Sequence, residues 1–539
     1  MTPPASPAIQ GLFEELYTFG DSLTSYGDFA SYIQKTVLAA SALPAWSGVS
    51  FSNANFGCQL GLRSHLGIST PSETPPPKLG IPTPFYPVVN PYVATPDLGT
   101  AGAPSFAIGG ATSGSSSLYD VITVSGPNGQ PIALSTLFPK LAQTGVEHQI
   151  EAALQQGVRP SSNQLTLIQG ASNDLLIAYI QQNPAINAVL EEALANMQRN
   201  LSVQLRTGGS RQLMSFGLAD FRGMVDGVAY QMPFLSNLLK QASQPDAPAW
   251  LQPWKAFVEQ GGLEGFQADY AAMMQGLAKQ FPYAALIYYS PEFGSNWDQY
   301  GDRLGNFASY GIQNSLGYAQ STNQDLPATA TNSYLYFDDI HNTESGQAMT
   351  AQAMALTLES NRPAISAATL TTEQRGTAKA NVLLATPENN ALIGLAGNDR
   401  LRGSTGNDAL WGDQGSDELV GAKGNDWLQG SEGSDRLTGN AGADFFSYRR
   451  QDALARWRDT ITDFQGRLGD RLGITAVLDG EDPFTNPGWT YIHAKRFQGT
   501  PGELRFSDGW LRGDVDGDGN ADLKIQLLGV TDFKQGWIS

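Results

Sequence analysis

The sequence predicts a three-layer α/β domain, then an all-β coil of stacked turns, then a β-rich C-terminal region. Three observations lead there. Apolar strand-like runs alternate with helical patterns up to about residue 365, the composition turns to Gly, Asp and Asn from Gly394, and a nine-residue period starts at that glycine. A chain of 539 residues also exceeds one ordinary core. The expected divisions are 1–365 for the α/β domain, 366–393 for a linker, 394–447 for the repeats and 448–539 for the C-terminal region.

In the first domain, strand-like runs fall at Leu16–Phe19, Phe106–Ile108, Leu165–Gln169, Gln212–Phe216, Ala285–Tyr289 and Tyr334–Phe337. Long helical patterns such as NAVLEEALANMQRNLSVQL and FQADYAAMMQGLAKQF lie between them. This alternation predicts a mainly parallel sheet covered by helices on both faces, with ligands beyond the carboxyl ends of the strands. Ser22, Gly109 and Gly110, Asn173 and the stretch DDIH all follow strands. Ser22 then reads as a nucleophile or as a helix cap. Of four histidines, His65 sits in a polar, loop-like context, His148 on a predicted amphipathic helix and His493 in the C-terminal region. Only His341 stands at a strand end beside acids. The stretch VAYQMPFLSNLLKQASQPDAPAWLQPWKAF reads as core helices joined by a Pro-rich turn, or as a lid.

A formal charge of −19 opposes nucleic acid and anionic membrane partners and suits divalent cations. No apolar run is long enough to span a bilayer. The opening MTPPASPAIQ lacks the charged and apolar parts of a secretory leader, and the single cysteine, Cys58, permits no intramolecular disulfide.

The repeats read GLAGNDRLR, GSTGNDALW, GDQGSDELV, GAKGNDWLQ, GSEGSDRLT and GNAGADFFS without a slip in register. Position six is Asp399, Asp408, Asp417, Asp426, Asp435 and Asp444; position eight is Leu401, Leu410, Leu419, Leu428, Leu437 and Phe446. Two glycines and one apolar residue per unit suit a tight turn followed by a short strand whose inward residue fills a narrow coil. Stacked coils would align the aspartates in columns at the strand spacing of about 4.8 Å. Carboxylates about 5 Å apart repel by up to roughly 3 kcal/mol at an effective dielectric near 20, so the columns call for a cation. Crowded hard oxygens favour Ca²⁺, whereas Zn²⁺ would need Cys or His.

These repeats resemble the RTX (repeats-in-toxin) calcium-binding proteins, whose nonapeptides form a parallel β-roll with Ca²⁺ between turns on the same edge. The resemblance implies that two repeats complete one coil, so each aspartate lies over the one eighteen residues away. The family usually has glycine at position two, where this chain has Leu395, Ser404, Asp413, Ala422, Ser431 and Asn440. Of these, Leu395 and Ala422 tolerate turn conformations least. The following GADFFSYRRQDALARWRDTITDFQGRLGDRLGI resembles the region after such rolls in substrates of type I, ABC-transporter-driven export. An uncleaved C-terminal signal, an ABC-type exporter as partner and an extracellular location are then expected. Near the end, GDVDGDGNADLKI has the spacing of an EF-hand-like loop at Asp514, Asp516, Asp518, Gly519 and Asp522, but Ile525 stands where a bidentate Glu is expected. An acidic hairpin turn is the competing reading.

The first domain resembles the GDSL, or SGNH, hydrolases. The segments FGDSL, SFAIGGATS, QGASNDLL and FDDIHNTESGQ match the family's four blocks in order over Phe19–Gln347, and no G-x-S-x-G elbow occurs. The resemblance implies a flavodoxin-like fold and hydrolysis of carboxylic esters, with lipid or phospholipid acyl esters as favoured substrates. It implies Ser22 as nucleophile, His341 as general base and then acid, and Asp338 as its orienting partner. The oxyanion donors would be the Ser22 N–H, a glycine N–H, for which the alignment of GGATS favours Gly110 over Gly109, and the Asn173 side chain. Where the family commonly has Gly two residues before the asparagine, this chain has Ala171. Two other readings stay open: a non-catalytic, calcium-dependent surface or adhesion protein, and a carbohydrate O-acetyl esterase.

Overall fold

Among the described residues, the α/β part is organised on four parallel strands, Glu15–Phe19, Gln164–Gln169, Gln212–Phe216 and Ala285–Tyr288, hydrogen-bonded in that order. The computed structural model describes residues 9–20, 59–68, 107, 111–121, 123–125, 130–137, 144–155, 157–158, 160–206, 209–218, 222–318, 333–336, 342–448, 457–474 and 489–538. Ser22, Cys58, Gly109, Gly110, Asp338 and His341 lie outside the described residues, as do Phe106 and Ile108 of the expected second strand.

Gln212–Phe216 is buried at every position, as expected of a strand covered on both faces. Helices Ser172–Ile180 and Ile186–Arg206 connect the second described strand to the third, and Pro233–Ala242, Leu251–Glu259 and Gly262–Gln280 precede the fourth. The Pro-rich stretch is therefore two core helices. Leu235, Leu238, Trp254 and Val258 are buried, and the Trp254 indole N–H donates to the Asn183 carbonyl at 2.8 Å.

Two expectations about the α/β part need correction. Tyr334–Tyr336 pairs in parallel with Asn314–Tyr318 rather than with the four-stranded sheet. Its carbonyls are engaged by the helix cap that follows: Thr343 Oγ1 donates to Tyr334 O at 2.7 Å and Thr343 N to Leu335 O at 2.9 Å. His65, expected in a loop, lies on helix Gln59–Leu66 and is nearly buried; His148 lies on helix Val146–Gln155, as expected.

The repeats form two parallel sheets. Strands register at an interval of eighteen residues, Leu401 with Leu419 and Leu437 in one sheet, Leu410 with Leu428 and Phe446 in the other. All six position-eight residues are at most 1% exposed, so one apolar residue per repeat fills the coil. The stack begins before Gly394: Thr372–Arg375, Val382–Leu384 and Asn390–Ile393 pair in the same sheets. Most of 366–393, expected as a linker, is thus roll. The stack also passes 447, since Asp459–Ile461 and Arg471–Ile474 continue the two sheets. One sheet then runs on into strands Leu523–Leu527, Trp510–Asp514, Glu503–Ser507 and Thr490–Tyr491. The EF-hand-like segment is the turn of the antiparallel hairpin Trp510–Asp514/Leu523–Leu527, and Ile525 is fully buried.

Candidate functional site

Two places gather polar chemistry. The first lies at the carboxyl ends of the parallel strands. Because Phe19 is paired with Ile168, the chain leaves both strands on the same edge of the sheet, into Gly20 on one side and Gly170 to Asn173 on the other. Gly20 is clamped by Gln149 of helix Val146–Gln155: its N–H donates to Oε1 at 2.8 Å and its carbonyl accepts from Nε2 at 2.9 Å. Sequence reasoning missed Gln149, a side chain 129 residues from its partner.

Asn173 opens helix Ser172–Ile180, is buried, and donates from Nδ2 to the Ala111 carbonyl at 2.9 Å. Next to it, Asp174 accepts from both the N–H and the Oγ of Ser113 at 2.8 Å each. Asn196 Nδ2 donates to Ser113 Oγ at 3.1 Å and Asn200 Nδ2 to the Ser113 carbonyl at 2.7 Å. The described ends of the glycine and asparagine blocks are therefore joined by buried hydrogen bonds. Burial pushes the Asp174 carboxyl above the usual carboxylate range, against the pull of the Ser113 donors. Ala171 has φ 92°, a left-handed conformation that glycine adopts without a Cβ penalty. Alanine at this position thus carries a backbone strain of about 1–2 kcal/mol. Beside these residues is a cavity of about 290 Å³ with Glu147, Asp174, Glu192, Asn196 and Arg199 in its lining.

The second place is the pair of aspartate columns, and the structure brings all six expected aspartates into them. Asp417 Oδ1 accepts from Asp399 N and Asp426 Oδ1 from Asp408 N, at 2.7 and 2.8 Å. Asp435 and Asp444 continue the two ladders at 2.8 and 3.0 Å. Asp459 and Asp470 extend them, accepting from Asp435 N and Asp444 N, although they stand 24 and 26 residues on instead of 18. At the other end, Asn381 and Asn390 occupy the aspartate position and donate their N–H groups to Asp399 and Asp408, each at 2.7 Å. An uncharged amide thus starts each column. The signal for these first coils was present: Asn at position six and Leu383 and Leu392 at position eight, but with Lys379 and Glu388 replacing the second glycine.

The other oxygen of the aspartates decides what the columns want. Oδ2 of Asp399, Asp417, Asp426 and Asp444 is buried without a hydrogen-bond partner. Burial first, then neighbouring carboxylates, pushes Asp417 up to about 6, Asp444 to about 7 and Asp426 to about 9, with backbone donors pulling the other way. Such groups lack a proton or a cation. The glycines fit the same account, for a methyl group at Gly412, Gly421 or Gly430 would fall on the Oδ2 of Asp417, Asp426 or Asp435. The residues fit a hard, oxygen-ligated cation: the aspartates of the two columns would hold calcium, which would supply the positive charge that their unpartnered oxygens lack. In the terminal hairpin, Asp514, Asp516 and Asp522 bring carboxylate oxygens within 4.8 Å of one another. There, however, both Asp514 oxygens already accept backbone N–H groups, from Gly517 and Gly519.

A profile of the RTX calcium-binding nonapeptide repeat matches residues 384–419 and 420–451. The roll is therefore a calcium-binding RTX repeat region, following an α/β region with a parallel sheet. No curated protein matches the chain. Among the described residues, no helix is long and apolar enough to cross a membrane.

Proposed function

We propose that the chain is a secreted serine esterase or lipase of the SGNH type, stabilised by calcium in its roll. The observation that supports this reading most is the bond from Asn173 Nδ2 to the Ala111 carbonyl, next to Asp174 on Ser113. It joins two of the four motif blocks beside the sheet edge at which the described start of a third, Phe19 and Gly20 of FGDSL, leaves its strand. An amide nitrogen carries two hydrogens, so Asn173 keeps one for an oxyanion after serving Ala111. In this reading Ser22 attacks the ester carbonyl while His341 takes its proton. Asp338 holds the imidazole in the required tautomer, and Gly110, Ser22 and Asn173 donate to the oxyanion. The alcohol leaves with the proton from His341, and water then resolves the acyl-enzyme by the same steps in reverse order. RTX repeats are typical of type I secreted proteins, which supports an extracellular site of action and an ABC-type exporter as partner.

Lipid or phospholipid acyl esters are the favoured substrates on family resemblance. A carbohydrate O-acetyl ester is the second reading, and the carboxylates, amides and guanidinium around the 290 Å³ cavity favour it, since they suit hydroxyl-rich groups. Turnover of p-nitrophenyl esters of increasing chain length separates the readings: long chains for a lipase, acetate alone for a deacetylase, none for an adhesion protein. Ser22→Ala is expected to abolish most turnover with the fold retained, and Asn173→Ala to lower it roughly 10²–10³-fold. Equal turnover in wild type and Ser22→Ala would overturn the proposal.

A further inference from the structure

The two aspartate columns lie in different surroundings. The column of Asp399, Asp417 and Asp435 precedes strands of the outer sheet, where Arg400 is exposed. The column of Asp408, Asp426 and Asp444 precedes strands seated on the α/β domain. Trp427, immediately after Asp426, stacks on Tyr283 with ring centroids 5.9 Å apart and an interplanar angle of 29°. Phe445, immediately after Asp444, meets Tyr283 at 4.9 Å and Phe281 at 5.8 Å. Phe445 packs into the core of the α/β domain rather than that of the roll. Asn407, immediately before Asp408, donates to the Ala367 carbonyl near the end of helix Arg362–Ala368, at 2.6 Å.

Beneath these rings is a buried cation. Arg211 is 4% exposed, with its guanidinium carbon 5.6 Å from the centre of the Tyr283 ring. Its Nε donates to the Ala368 carbonyl at 2.9 Å, while both terminal nitrogens are buried without a partner. The Tyr283 hydroxyl and then Asp426 and Asp408, both of the inner column, lie close enough to act on it electrostatically. A buried guanidinium needs cover from neighbouring groups, and here the rings of the roll supply it over Tyr283. Arg211 and Tyr283 stand just before strands Gln212–Phe216 and Ala285–Tyr288, whereas Asn173 stands just after its strand. In a parallel sheet these are opposite ends, so the roll docks away from the candidate active site.

We propose that the inner column is a calcium-dependent clasp: metal that orders Asp408, Asp426 and Asp444 fixes Trp427 and Phe445 over Tyr283, Phe281 and Arg211 and so fastens the roll to the α/β domain. The outer column stiffens the roll without taking part in this contact. Calcium thereby controls the cohesion of the two domains from the end of the sheet remote from Ser22. The inference does not depend on the esterase reading, and its readout is independent of turnover.

The test is hydrogen exchange of the full chain, titrated with Ca²⁺ from excess chelator. In the wild type, protection of 281–284, the turn that carries Phe281 and Tyr283, should rise together with that of 427–432, while the strands of the α/β sheet stay protected throughout. Asp426→Asn should move the midpoint for 281–284 to calcium concentrations higher by about tenfold or more, and Asp417→Asn should move it far less. Trp427→Ala keeps all six aspartates and covers the case in which Asp426→Asn prevents the roll from folding. In it, 418–423 should still become protected with calcium while 281–284 no longer follows. Full protection of 281–284 in chelator, equal shifts from the two aspartate variants, or unchanged coupling in Trp427→Ala would each overturn the clasp.

Discussion

Asp174, half-buried beside the cavity, and Asp426, fully buried in the roll, are both carboxylates held above their ordinary range by loss of solvent, yet they belong to different kinds of structure. Asp174 has the N–H and hydroxyl of Ser113 as donors, within a network that Asn196 and Asn200 complete. Asp426 has the Asp408 N–H for one oxygen and nothing for the other, and its column continues with Asp444 in the next coil. The α/β domain therefore satisfies Asp174 from its own chain and rests on a broad apolar core. In the roll, with one apolar residue per nine, part of that balance must come from outside. Autonomy in one region and dependence on a cation in the other follow from the same rule, that a buried polar group needs a partner.

The largest break in this comparison is steric. Gly415 has φ 138°, and a methyl group there would overlap the Gly397 carbonyl of the coil above; Gly227, in the α/β domain, has φ 74° and open space around it. Gly415→Ala is expected to destabilise the calcium-loaded roll by more than about 4 kcal/mol, and Gly227→Ala the α/β domain by about 1 kcal/mol. Calcium-dependent thermal unfolding of each variant checks both.

Acid gives the next effect, and its sign is fixed. In the folded roll Asp417, Asp444 and Asp426 hold their protons up to about 6, 7 and 9. In the unfolded chain aspartates titrate near pH 3.9, so between those values the folded state binds more protons. Their contribution is thus fully present below about pH 4 and is lost as pH rises through the folded values. In excess chelator, lowering the pH from 8 to 5 should restore part of the roll's β signal in circular dichroism. A signal that weakens on acidification in this range would contradict the cation account.

The smallest effects come from backbone strain and are expected in both regions. Leu395 and Ala422 have φ of 76° and 88°, and Ala171 has φ 92°. Ala422→Gly should stabilise the roll, and Ala171→Gly the α/β domain, each by about 0.5–1 kcal/mol. The first should lower the calcium midpoint of the roll and leave the melting of the α/β domain unchanged; the second should do the reverse.

The two regions also differed in how far they could be read from the sequence. Every position-six aspartate and position-eight apolar residue was legible because a fixed period turns spacing into geometry. The ends were not, since Lys379 and Glu388 replace a glycine above the stack and longer connections precede Asp459 and Asp470 below it. In the α/β domain the strands before Gly20, Gly170 and Gly217 were legible from their apolar runs. The clamp of Gln149 on Gly20 and the seat of Trp427 on Tyr283 were not, because contacts between residues 129 and 144 positions apart leave no local pattern.

The central claim is that the roll needs a cation and the α/β domain does not. Hydrogen exchange of the intact protein, in excess chelator and then in millimolar Ca²⁺ at pH 7.5, tests it within one molecule. The account predicts that amides of Gln164–Gln169 are protected in both conditions, and that those of Ala409–Gln414 and Glu418–Lys423 exchange freely in chelator and become protected with calcium. Equal protection of 409–414 with and without calcium would contradict it.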